Sequence, residues 1–214
     1  MADNTETLIA GLVSDLRPMA PLRQRRGMSL ALAGLVAGCL LMLSVFGMRA
    51  DFRIMQPDPM ALTSAGLFLV LALASAWSVI DLARPYVGLR REGWGWTALM
   101  AGVLPLAALV VMAGQVIGGS PSTLAMNGSE CMACGTVLAL LTGALLVLWL
   151  RRGAPPDPAR AGLLVGVAAG AAGIFAVSLY CPHNDLVHIG IWHGMTVVFA
   201  GIAGRLVVPR LIVW

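Results

Sequence analysis

Residues 161–180 read AGLLVGVAAGAAGIFAVSLY, a run of 20 positions without one charged side chain. At about 1.5 Å of rise per residue, such a run as a helix spans the roughly 30 Å hydrocarbon core of a bilayer. Backbone polar groups find no partner in hydrocarbon unless the segment satisfies them itself, so a helix is the only conformation open to it. Five further runs flank it: Met28 to Met48, Met60 to Asp81, Trp94 to Ile117, Cys131 to Leu150, and about His188 to Val208. With 59% hydrophobic and 11% charged residues, a water-soluble fold of this chain would expose far more apolar surface than soluble proteins tolerate. The expected fold is all-α, a polytopic membrane bundle of six transmembrane helices (28–214) preceded by a short cytoplasmic segment (1–27). The first run lies too far from the N-terminus, and is followed too closely by others, to read as a cleaved signal peptide.

Every cationic side chain is an arginine. Alternation of six spans puts Arg17, Arg23, Arg25, Arg26, Arg84, Arg90, Arg91, Arg151, Arg152, Arg160, Arg205 and Arg210 on one side, and leaves Arg49 and Arg53 on the other. The positive-inside rule then places both termini in the cytoplasm. The net charge of +4 thus has a membrane explanation and calls for no nucleic acid. No span carries the buried carboxylates or broken helices of an ion-coupled transporter. Gly162, Gly166 and Gly170 in the fifth span, with Gly190 and Gly194 in the sixth, allow close helix approach, either within the bundle, the reading preferred here, or on the face of a homo-oligomer.

In the tail, Leu8, Ile9, Leu12, Val13 and Leu16 fall on one helical face. Asp3, Asn4 or Thr5 caps the start, and Pro18 with Pro21 ends the helix. So short a helix is unstable alone in water, and its stripe needs a cover. The polar face carries Asp3, Glu6 and Asp15, which disfavours an anionic bilayer surface. The cytoplasmic loops and a groove on a soluble partner are the other covers. Burying such a side chain is worth on the order of 1.5–3 kcal/mol before ordering costs.

Cys131, Cys134 and Cys181 all fall at the outer membrane–water boundary, where thiols meet an oxidising compartment. Their positions allow a disulfide between spans four and five, with Cys131–Cys181 the favoured pair. A structural or regulatory thiol pair is the simplest role. The Cys-x-x-Cys spacing also fits dithiol exchange, or a soft-metal site completed by His183, His188 or Asp185. His193 lies further inside span six, where histidines are more often structural than ligating.

These pieces together resemble the NrsF-type membrane anti-sigma factors over nearly the whole chain. The resemblance rests on the tail from Leu8 through Leu12-Val13-Ser14-Asp15-Leu16-Arg17-Pro18-Met19; on Cys131, followed at the family's distance by Arg151-Arg152-Gly153-Ala154-Pro155; on Leu179-Tyr180-Cys181-Pro182; and on Trp192-His193. It implies a non-enzymatic, cofactor-free regulator in the bacterial inner membrane. Such a protein holds an extracytoplasmic-function sigma factor away from RNA polymerase. Leu8, Leu12, Asp15, Leu16, Arg17 and Pro18 are then the expected sigma contacts. The resemblance assigns sensing of heavy-metal or oxidative stress to Cys131 and Cys181, with Cys134 additional to the family pattern and a second candidate to pair with Cys181. The rival reading is a membrane thiol–disulfide oxidoreductase cycling electrons through the same three cysteines.

Overall fold

Aspartates start two of the long helices. Asp58 accepts hydrogen bonds from the N–H groups of Met60 (2.8 Å) and Ala61 (3.2 Å), and Asp157 accepts one from Arg160 (2.9 Å). In both cases a proline takes the first helical position, where its missing N–H costs nothing. The computed structural model describes residues 2–14, 22–83, 94–118 and 128–212, and shows helices and no strand among them. In chain order these are α1 (Ala2–Ser14), α2 (Gln24–Phe46), α3 (Ala50–Arg53), α4 (Pro59–Leu82), α5 (Trp94–Ile117), α6 (Ser129–Leu150), α7 (Pro158–Ser178), α8 (Leu186–His188), a π-helical turn (Ile189–His193) and α9 (Gly194–Leu211). α8, the π-turn and α9 run on as one apolar helix, Leu186–Leu211. With α2, α4, α5, α6 and α7 it makes six helices long and apolar enough to cross a bilayer.

The helix boundaries depart from the apolar runs by a few residues. α2 begins at Gln24 and takes in Arg25 and Arg26, because a charge ends an apolar run without interrupting backbone hydrogen bonding.

α7 sits at the centre, buried along nearly its whole length, with α9, α6 and α4 packed around it. Its glycines set these distances. A Cβ on Gly166 would overlap the carbonyl of Ala200, one on Gly162 the carbonyl of Gly204, and one on Gly173 the carbonyl of Gly135. Backbone-to-backbone approach of this kind is what small residues permit where lipid supplies no hydrophobic drive between helices. α2 is held to α6 in the same way. A Cβ on Gly34 would lie 2.8 Å from the Cα of Thr142, and one on Gly27 2.9 Å from the ring of the buried Trp149. Val36, Leu40 and Val45 of α2 and Val103, Leu106 and Val110 of α5 face outward, as a lipid-exposed surface requires.

At one end of the bundle Gly153 packs on Ala83 and Leu22. At the other, the connection 47–58 is tied to the connection 179–185. The Arg49 N–H donates to the Leu179 carbonyl at 3.1 Å, and its guanidinium donates to Asn184 Oδ1 at 2.7 Å. This second end carries the cysteines.

Candidate functional site

Cys131 lies in the first turn of α6, and Cys181 follows the end of α7 by three residues. Packing of α6 on α7 through Gly135 and Gly173 brings the two thiols together, Sγ to Sγ 3.5 Å. Both are free thiols, as are Cys39 and Cys134. Cys134, one turn along α6, packs on the apolar cluster of Met42, Leu138 and Val177.

On the far side of Cys181, Asp185 caps α8 by accepting the His188 N–H at 2.7 Å, which fixes where His188 points. His188 Nε2 then lies 3.5 Å from Cys181 Sγ. Five residues apart on an α-helix, two side chains diverge by about 140°. Here the Gly194 N–H donates to the Ile189 carbonyl five residues back, and this wider turn carries position 193 round beside position 188. The His188 and His193 rings meet edge to face, 5.2 Å between centroids. Ligand atoms of Cys131, Cys181, His188 and His193 all lie within 4.8 Å of one another. Both imidazoles are 2% exposed. Among the described residues, His188 Nδ1 and both ring nitrogens of His193 have no hydrogen-bond partner. His183 takes another position, its ring 4.8 Å from that of His188.

The thiol of Cys131 beside it draws the Cys181 pKa down. Burial acts in the opposite sense, and the flanking His188 and His193 add to the lowering, so the net direction is toward the thiolate.

Arg49 braces this end. It is nearly buried, ion-paired to Asp51 at 2.6 Å, and lies over the Phe52 ring at 5.4 Å. Desolvation pushes the Asp51 carboxyl up, but Arg49 and the N–H groups of Asp58 (3.1 Å) and Phe52 (3.0 Å) outweigh it and hold the pKa below the usual carboxylate range. Charge alternation along the sequence leaves Arg49 on the side opposite most arginines and assigns it no partner. Only the fold reveals that it ties the Cys181 connection to α2.

At the N-terminus, α1 forms the helix expected of the tail. Leu8 is 63% exposed, Ile9 54%, Leu12 63% and Val13 59%, an apolar stripe left open to solvent. Asp15, Leu16, Arg17 and Pro18 lie outside the described residues.

The family described as negative regulator of sigma F, NrsF, matches residues 12–214. The anti-sigma-F factor NrsF of Caulobacter vibrioides is 30% identical over 208 residues, which cover 94% of this chain and 94% of that protein. The probable anti-sigma-F factor NrsF of Azospira oryzae is 26% identical over 216 residues, 98% of this chain and 99% of its own. No solved structure shows significant similarity.

Proposed function

The chain belongs to the NrsF family, the negative regulators of sigma F, and from that membership we propose that it holds an extracytoplasmic-function sigma factor at the bacterial inner membrane and releases it under heavy-metal or oxidative stress. The observation that carries this reading is the solvent-exposed apolar stripe of α1, Leu8, Ile9, Leu12 and Val13, on a helix too short to stand alone. An amphipathic helix with a bare face fits a hydrophobic groove on a soluble partner. Residues 1–27 form the sigma-binding segment, with Leu8, Leu12 and Leu16 docking and Asp15, Arg17 and Pro18 setting register. Residues 28–214 form the membrane domain.

The arginine distribution orients the bundle with both termini in the cytoplasm, so the cysteine end faces the periplasm. A change at Cys131 and Cys181 alters how α6 meets the connection after α7. α2, which leads directly from the tail, is locked to α6 at Gly34–Thr142 and Gly27–Trp149 and carries the shift inward. About 1.4 kcal/mol of difference between two arrangements changes sigma affinity only tenfold, so release draws on the whole α2–α6–α7 packing.

The chain acts by binding and not as an enzyme. The adjacency of Cys131 and Cys181 also suits a thiol–disulfide oxidoreductase, which would oxidise a dithiol substrate catalytically in purified form.

Serine at both Cys131 and Cys181 tests the sensing role. In cells the double variant keeps its sigma factor in the membrane fraction before and after cadmium or diamide, whereas the parent chain loses it to the soluble fraction on treatment. Release from the double variant equal to that from the parent would refute the assignment.

A further inference from the structure

We propose that Cys131, Cys181, His188 and His193 form a four-ligand site for one divalent cation of the zinc–cadmium type. The site stands on its own geometry; its use in regulation rests on the anti-sigma reading above.

The first support is distance. Four ligands around a tetrahedral ion, at about 2.3 Å for sulfur and 2.0–2.1 Å for nitrogen, lie roughly 3.3–3.8 Å from one another. Cys131 Sγ to Cys181 Sγ and Cys181 Sγ to His188 Nε2 are both 3.5 Å, and no ligand atom of the four is more than 4.8 Å from another. Side-chain rotations of about an ångström complete the tetrahedron on these figures. A disulfide instead requires the sulfurs to close from 3.5 Å to about 2.05 Å, and leaves the imidazoles without a task.

The second support is the burial of unpartnered nitrogen. Buried ring nitrogens without a hydrogen bond are costly, and natural folds keep few of them. Both ring nitrogens of His193, which borders the sulfurs, are unpartnered, and the cation would take one of them while His188 ligates through Nε2, the nitrogen that already lies 3.5 Å from Cys181 Sγ. The π-turn adds to the point. It spends a regular backbone register at the one place where that brings His193 beside His188, and such turns gather at functional sites.

The donor set chooses the ion. Two thiolates and two neutral imidazoles suit soft or borderline d10 cations and offer nothing to magnesium or calcium. Binding would take both cysteines as thiolates, displacing the thiol protons the pair still holds, and fasten the first turn of α6 to the π-turn of the sixth span. No sulfur is oxidised. The second cysteine of the Cys-x-x-Cys motif, Cys134, and His183 are outside the set.

The test uses the full-length chain in lipid nanodiscs, kept reduced under argon and titrated with Co2+ and with Cd2+. The expected result is one ion per chain, with the intense visible bands of tetrahedral cobalt and the ultraviolet thiolate-to-cadmium charge transfer. Cys131→Ser, Cys181→Ser, His188→Gln and His193→Gln should each weaken binding by more than the roughly 10–100-fold that loss of an outer-shell partner costs. Cys134→Ser and His183→Gln, as matched controls, should bind as the parent does. Failure of the reduced parent to bind, an octahedral cobalt spectrum, or binding that depends on Cys134 or His183 and not on His193 would overturn the site. Capture of the sigma factor by the same preparations separates the two readings. Ion binding without capture supports the site and counts against the regulator, while capture without ion binding overturns the site alone.

Discussion

Aspartate at both Leu8 and Leu12 is expected to abolish sigma-factor binding while leaving the membrane bundle intact. Both side chains project from α1 at 63% exposure, so the substitutions remove no packing within the chain. In a docked helix each leucine would bury its side chain for about 1.5–3 kcal/mol. Losing both, and placing carboxylates in an apolar groove, lowers affinity by at least about 100-fold. The readout is co-purification from solubilised membranes, with size-exclusion behaviour of the bundle as the control. Unchanged co-purification of the double variant would remove the α1 stripe from the interface.

The second large effect is structural. Leucine at Gly166 forces a side chain into the carbonyl of Ala200, where α7 and α9 meet backbone to backbone. Overpacking of this kind costs about 1–3 kcal/mol and occasionally more. α7 touches most of the bundle, so the strain cannot be relieved by moving one neighbour. Thermal unfolding of the purified variant should begin well below that of the parent. Gly66 of α4, with nothing within 4 Å of its Cβ position among the described residues, provides the control, since leucine there should leave the transition in place. Equal transitions for the two variants would mean that the α7–α9 approach does not limit stability.

The legibility of these features in the sequence follows their physics. The six spans are readable because hydrocarbon imposes one requirement on every segment that crosses it, and length and apolarity meet that requirement residue by residue. The Gly162, Gly166 and Gly170 row announces a close approach. That Gly162 faces Gly204 and Gly166 faces Ala200, with Gly173 against Gly135, depends on which helices become neighbours, and no local pattern specifies that.

The same division runs through the site. Cys131 and Cys181 are readable as neighbours because topology puts both at one membrane boundary. His193 is not, because it lies further inside span six and α-helical periodicity turns position 193 away from 188. The π-turn reverses this, and nothing in Ile189-Gly190-Ile191-Trp192 marks it in advance. Arg49 was hidden for a related reason. Its partners Asp51 and Asn184 lie on two connections that only the folded bundle brings together.

If residues 1–27 carry the sigma contact, purifying the full-length chain and a chain lacking 1–27 from membranes in parallel, and identifying what accompanies each by mass spectrometry, yields a sigma factor with the full chain and none with the shortened one. A sigma factor held equally by both, or by neither, would contradict that assignment.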